Sequence, residues 1–440
     1  MSRIYYKTFV IVRVIVDIFF ISLLAKKIKN QFYFGGKGAC FFQKKNINSV
    51  IKSALKTTFY KNYFNNVHQN KQKIKLNDFP IITKNDIKKS PANFIVNNIL
   101  IPKTMGNTGG STGTPLSFYT DLNCRLTEFA HQLFFYGELG YKINDKIYSF
   151  GGVDISKKNI SKNIFWKKKL VGFPFGKIIF SAQILDENNV KYFVNKVLLD
   201  KPQFLRGYPS AIVILCNYIK KNNIKINFIK GVLLTSEVIV QSNIQLISKS
   251  LNCKVVPQYG HTENAIFAFA SPNKLKYFCS PFYGITEIIN AETGLHVEKG
   301  EVGEIVVTSL SNKYQPFIRY NTGDLAIYAG THNNFVILDK IFGREQDYIF
   351  DSNSKKILLV GLIFGSHSKV FNHINDWQFF QNKIGELLIN ISPNESWNID
   401  LHEKLINDLF KNIDIKINIF YNKPFIKTSL GKRKFLINNL

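Results

Sequence analysis

Apolar and polar positions change period along the chain, and each change predicts an element. Residues 9–25, FVIVRVIVDIFFISLLA, are almost continuously apolar, but Arg13 and Asp17 interrupt them four residues apart and would share one face of a helix. A spanning helix needs about 20 apolar residues, and a charge at its centre costs about 2.5–3.5 kcal/mol. No small-residue cleavage site follows. The pattern predicts a helix packed on the protein or lying at a membrane surface. From 46, NINSVIKSALKTTFYKNYF spaces Ile47, Val50, Ile51, Ala54 and Leu55 as one helix face. NFIVNNILIPK (93–103) and PLSFYTD (115–121) are β-like runs around a glycine-rich segment, which reads as the tip of a hairpin. VKYFVNKVLLDKPQFLRGYPSAIVILCNYIKK (190–221) reads as two helices broken at Pro202 and around Gly207-Tyr208-Pro209.

KGVLLTSEVI runs from strand into turn, Val240 to Leu251 carries Ile244, Ile247 and Leu251 on one helical face, and KVVPQYG reads as a second strand. Strand–helix–strand of this length implies a parallel pair with a right-handed crossover. Ligands gather at the carboxyl ends of such strands. Thr235-Ser236-Glu237 and Tyr259-Gly260-His261-Thr262-Glu263 both fall there. EVGEIVVTSL and YQPFIRYNTGDLAIY read as strands around a turn. After Gly343-Arg344 the pattern becomes hairpin, helix, strand. The expected fold is therefore mixed α/β: a large unit over 1–342 with parallel-rich sheets, then a small mobile α+β unit over 343–440.

Composition narrows the function. The chain has 440 residues, 45% hydrophobic, enough for sizeable cores. Five scattered cysteines without a CxxC pair fit a reducing compartment and argue against a disulfide framework or structural zinc. A net charge of +28 invites a polyanion partner. However, the lysines are dispersed, KKIKN (26–30) and WKKKL (166–170) are short runs, and no aromatic-interleaved basic module appears. Nucleic acid is not an expected partner; weak attraction to an anionic membrane surface is the alternative the charge leaves open.

GNTGGSTGTPL (106–116) holds four glycines among Thr108, Ser111, Thr112 and Thr114, with no charge. Glycines let backbone N–H groups converge on one point, and small hydroxyls add donors, a chemistry for gripping oxyanions. A P-loop would need a lysine after the last glycine and a following helix; Thr114-Pro115 and a β-like run follow instead. Gly109-Gly110-Ser111-Thr112-Gly113 also matches G-x-S-x-G, but a nucleophile elbow joins a strand directly to a helix. A serine hydrolase is thus a third choice, behind a non-catalytic nucleotide-binding protein acting as an assembly partner at the membrane.

Taken together, GNTGGSTGTPL, LLTSEVI, YGHTE, FIRYNTGD, GREQDYIF and KTSLGKRKFL occur in that order over residues 106–436. The set resembles the adenylate-forming superfamily of acyl-CoA synthetases and adenylation domains. PFIRYNTGD and FLRGYPSAI resemble, more narrowly, the phenylacetate–CoA ligase-like branch and its capsular-polysaccharide relatives of CapK type. The resemblance implies a cytoplasmic enzyme, peripheral to the inner membrane face if its N-terminal helix lies there. It would use ATP and Mg2+ to adenylate a small-molecule carboxylic acid for surface-polysaccharide assembly. It also implies roles. Thr108, Ser111, Thr112 and Gly113 follow the β- and γ-phosphates, Glu263 holds magnesium, and Thr262 touches phosphate. Tyr259 lies against adenine, Ser236 and Glu237 line the base pocket, and Asp324 accepts from the ribose hydroxyls. Arg344 reaches ribose or phosphate near a hinge at 342–345, and Lys432 is the C-terminal catalytic lysine. Core packing for Tyr259 and a surface ion pair for Arg344 stay open, as do the roles of Arg319 and Lys427. Leu116 stands where many members carry lysine, and YIFDSNSKKILLVG departs from the phenylacetate ligase pattern. The acceptor, coenzyme A or another, is therefore open.

Overall fold

The computed structural model describes residues 2–67, 74–97, 102–108, 116–142, 145–169, 176–344, 348–359, 370, 373–428, 431 and 433–440. The apolar N-terminal segment belongs to one long helix, Ser2–Phe34 (α1). Ile21, Leu24, Ala25 and Ile28 seat it on Ala130 and Phe134 of Leu122–Gly137 (α2). The helix expected from 46 is two, Gly38–Ala54 and Thr58–Val67. The Thr57 hydroxyl accepts from the Tyr60 amide at 3.4 Å and donates to Ala54 O at 2.7 Å, so a side chain replaces the continuing helical ladder.

Lys103–Asn107 (β1) and Ser117–Asp121 (β2) pair antiparallel in a hairpin whose tip, 109–115, lies outside the described residues. The run read as β-like from 93 differs: it opens in a 3-10 turn, Pro91–Phe94, with Pro91 at its first position, and the strand begins only at Lys103 and runs through Gly106. Asp121 ends β2 and caps α2 through Cys124 N at 3.1 Å, and it also accepts from Lys313 N at 3.0 Å. Asn312 Nδ2 donates to Tyr119 O, and Tyr119 N donates to Gln315 Oε1. The hairpin is thereby bolted to the body by backbone contacts at its base.

Among the described residues, twelve strands form the central sheet. Its parallel block comprises Ile147–Gly151 (β3), Ile178–Ser181 (β5), Phe204–Gly207 (β6), Gly231–Leu234 (β7) and Lys254–Gly260 (β8), in the order β5-β3-β6-β7-β8. Trp166–Lys168 (β4) borders β5 antiparallel. Crossover helices Val190–Asp200 (α3), Pro209–Lys221 (α4) and Gln241–Leu251 (α5) connect β5 to β6, β6 to β7 and β7 to β8. Val232 and Leu234 of β7 face Ile212 and Ile247, whereas Leu233 joins the cluster of α1 and α2. Both faces are covered, as a parallel sheet requires. Beyond β8 the sheet continues antiparallel through Phe267–Ala270 (β9), Tyr277–Cys279 (β10), Phe335–Arg344 (β14), Tyr320–His332 (β13), Val302–Ser309 (β12) and Gly284–Ile289 (β11).

β6 was hidden from the sequence: four residues between two prolines read as a break between helices. Its pairing is entirely non-local. Gly207, at φ +147, packs so closely that a Cβ would lie 2.2 Å from Phe150 O.

Tyr348–Phe350 (β15) and Lys356–Leu358 (β16) make a small ribbon. Ile374–Lys383 (β17), Glu386–Pro393 (β18), Lys416–Tyr421 (β19) and Leu436–Asn438 (β20) form a separate sheet, ordered β19-β18-β17-β20, under Ile399–Phe410 (α6). The hairpin, helix and strand read after Arg344 are thus present, and β20 adds a parallel edge to β17.

Candidate active site

The Tyr259 side chain leaves the carboxyl end of β8 and its hydroxyl donates to Asp324 Oδ2 at 2.7 Å. His261 Nε2 lies 2.9 Å from the same oxygen and 2.7 Å from the Tyr259 hydroxyl. Burial, then the Asp324 charge, raise the Tyr259 pKa well above that of an ordinary phenol, so the hydroxyl remains a donor. Asp324 reaches this point because of a bulge. Val306 pairs with Asn321 and Glu304 with Leu325, so three β13 residues, 322–324, stand opposite Ile305 alone. Gly323 takes φ +74, the Thr322 hydroxyl donates to Ile305 O at 2.8 Å, and the Asp324 amide donates to Thr322 Oγ1 at 3.1 Å. A bulge of this kind re-aims a side chain out of the ladder. The register also sets Arg344 of β14 beside Asp324; the Arg344 side chain lies outside the described part.

Glu263 is buried, 6% exposed. It accepts from the Tyr320 hydroxyl at 3.2 Å and from the Thr262 hydroxyl at 3.2 Å. Both partners are neutral hydroxyls, which leaves carboxylate lone pairs for a hard cation. This donor set fits magnesium. Tyr320 shares a core with Leu116 and Phe118 at the base of the β1–β2 hairpin. Thr108 clamps that base: its amide donates to Leu116 O, and its hydroxyl accepts from Leu116 N, both at 2.9 Å. Ser111, Thr112 and Gly113 lie outside the described residues.

Ser236 follows β7 in a left-handed conformation, φ +74. Such strain in a non-glycine residue is characteristic of functional sites. Glu237 is half-buried. It accepts from Ser210 N at 3.0 Å, Ser210 Oγ at 2.9 Å and Arg433 N at 2.9 Å. Arg433 belongs to a C-terminal hairpin in which Lys427 pairs with it across the turn. Behind this hairpin, Gln378 Nε2 donates to Ile426 O and Lys434 O, and Asp376 forms an ion pair with Arg433. In front, Lys427 Nζ donates to Leu185 O at 2.9 Å and Ala182 O at 3.3 Å, just past β5. Gly431, at φ +76, sits so close that a Cβ would be 2.5 Å from Gln183 N. Lys432 lies outside the described residues, but both neighbours are held at the carboxyl ends of the parallel strands.

The structure joins Asp324 to Tyr259, three residues before Thr262 and Glu263, and adds three residues to which the sequence assigned no role: His261, Tyr320 and Ser210. All three lie inside quoted motifs, His261 in YGHTE, Tyr320 in FIRYNTGD and Ser210 in FLRGYPSAI, but their partners are distant in the chain. Lys427 docks the hairpin. Arg319 instead pairs with Glu287, at 3.2–3.3 Å, and donates to Phe79 O, a structural clamp.

A parallel block extended by antiparallel strands, with a small α/β unit seated on its carboxyl ends, is the fold of the adenylate-forming ligases. The chain superposes over 93% of its length on 91% of 2-hydroxyisobutyryl-CoA ligase in the postadenylation state with R3-HIB-AMP (TM-score 0.68, 16% identity). It superposes over 90% on 88% of the acyl acid amido synthetase GH3.15 (TM-score 0.58, 14% identity). In sequence it is similar to Protein CapK of Staphylococcus aureus, 29% identical over 380 residues that cover 83% of this chain and 80% of the relative. No protein-family profile matches the chain.

Proposed function

We propose that this protein is an adenylate-forming ligase, in which a carboxylate attacks the α-phosphate of ATP to give an acyl-adenylate and pyrophosphate. One observation carries the reading: the hairpin bracketing Lys432 docks on the same strand ends that present Ser236, Tyr259 and Glu263, with Asp324 drawn in by Tyr259. Two anions must meet while charge builds on the leaving group, so catalysis is positioning and charge stabilisation. In this reading Asp324 accepts from the ribose hydroxyls, the Tyr259 ring lies on adenine, and Ser236 borders the base. Arg344 reaches ribose or phosphate. Thr108, Ser111, Thr112 and Gly113 hold the departing phosphates with Thr262, and Lys432 spans the α-phosphate and the carboxylate. Magnesium held by Glu263 would neutralise phosphate charge. Residues 343–440, read as one unit in the sequence, contain the lid that carries Lys432, with Gly343 and Arg344 ending β14 in the central sheet.

Lys432→Ala is expected to lower ATP–pyrophosphate exchange about 10²–10³-fold with ATP binding retained. Exchange at the wild-type rate refutes the role. A panel of carboxylic acids in the same assay identifies the substrate. The similarity to CapK supports a place in surface-polysaccharide assembly, and the acceptor, coenzyme A or another nucleophile, follows from which one discharges the adenylate.

ATP as substrate and five free thiols support a cytoplasmic site of action. Among the described residues no helix is long and apolar enough to cross a membrane. Ile18, Phe19, Phe20 and Leu23 of α1 are nevertheless exposed, Phe19 at 65%, beside exposed Lys26, Lys27 and Lys29. Apolar side chains next to a basic cluster support docking on an anionic bilayer. The protein should cosediment with phosphatidylserine vesicles and not with neutral ones, and F19E/F20E should abolish this; binding unchanged by the substitutions removes the reading.

A further inference from the structure

We propose that Glu237 is the latch that holds the C-terminal hairpin closed over the site, and so sets the position of Lys432 through the adjacent residue. The inference rests on the adenylation reading for its catalytic consequence but not for its geometry. Glu237 stands just past β7 and uses both carboxylate oxygens. Ser210, at the start of α4, donates through its amide to Oε2 and through its hydroxyl to Oε1. The remaining acceptor capacity of Oε1 takes the Arg433 amide at 2.9 Å. Two donors from the body thus fix the carboxylate, and its third bond reaches a residue about 200 positions away in the chain. Bonds from a neutral donor to a charged acceptor are the stronger kind.

The other contacts of the hairpin point to the same closed arrangement. Lys427 donates to two carbonyls after β5, and Gly431 fits against Gln183 without room for a Cβ. The chain superposes on 2-hydroxyisobutyryl-CoA ligase better in the postadenylation state, TM-score 0.68, than in the thioesterification state, 0.58, or the open one, 0.57. A lid of this kind must also leave. Glu237 suits that duty, because releasing Arg433 N breaks one bond and leaves the carboxylate satisfied by Ser210.

A base-pocket role and a latch role separate experimentally. Hydrogen exchange of the ligand-free protein reads the latch directly. In Glu237→Gln, one oxygen becomes an NH2 group that cannot accept, and peptides covering 424–436 should exchange about tenfold faster or more. Peptides from β17 and β18 should keep their protection, which reports an intact C-terminal sheet. Ser210→Ala, the milder variant should Glu237→Gln not fold, should show the same acceleration to a smaller degree. In pyrophosphate exchange, Glu237→Gln should lower kcat about tenfold with little change in the KM for ATP. Unchanged exchange of 424–436 in both variants overturns the latch, as does a raised ATP KM with unchanged kcat, which would return Glu237 to the base pocket. Faster exchange in a protein that forms no pyrophosphate with any acid sustains the latch and refutes the adenylation reading instead.

Discussion

Asp324 shows how much a single side chain owes to its neighbours. An aspartate in a glycine-containing turn is ordinary in sequence. Here its Oδ2 is held by Tyr259 and His261 together, so two side chains fix where the carboxylate points. Removing the phenol hydroxyl takes away a bond to a charged acceptor, of the order of 1.5–3 kcal/mol. Tyr259→Phe is therefore expected to raise the KM for ATP in pyrophosphate exchange roughly tenfold while the ring is kept. An unchanged KM would separate the hydroxyl from nucleotide binding. Glu263 makes the complementary point: Tyr320, 57 residues away, supplies one of its two hydroxyl donors, and nothing near YGHTE announces it.

At the scale of elements, the bulge in β13 determines where Asp324 points. Gly323 lies at φ +74 with nothing within 4 Å of where a Cβ would stand, so only backbone conformation opposes substitution. Gly323→Ala should cost about 1–2 kcal/mol and lower the urea midpoint, whereas Gly323→Asn, which tolerates the left-handed region, should cost less. Equal midpoints for the two variants would show that the bulge relaxes. The β7–α5–β8 unit was legible because its periods change cleanly and its turns sit at the ends. β6 was not, since four residues between prolines become a strand only when β3 and β7 offer edges on both sides. The split of the second and third helices had a similar origin, in one threonine hydroxyl that competes with the backbone.

Across the whole molecule, buried polar groups couple stability to pH. His131 is fully buried between Thr127 O, at 2.7 Å, and Ser280 Oγ, at 2.8 Å. Burial lowers its pKa from 6.5 to about 4. The unfolded chain then binds the proton more readily than the folded one between those values. Stability is complete above pH 6.5 and falls as pH drops toward 4, by up to about 3 kcal/mol for this group. Urea midpoints measured across that range should decline with acid, and His131→Gln should flatten the decline; an unaltered slope would assign the effect elsewhere.

What the sequence determined by itself was local or ordered along the chain: the strand–helix–strand unit, the hairpin under the glycine loop, the change of character after Arg344, and the series of motifs whose fold the superpositions confirm. Each depends on periodicity or on turn chemistry within a few residues. What only the tertiary structure decided was partnership: Tyr259 and His261 with Asp324, Tyr320 with Glu263, and Glu237 with Arg433. These pairs lie from 57 to 196 residues apart, and their geometry is set by sheet order, a bulge and the docking of one sheet on another. A carboxylate's surroundings determine what it does, and those surroundings exist only once the chain has closed on itself.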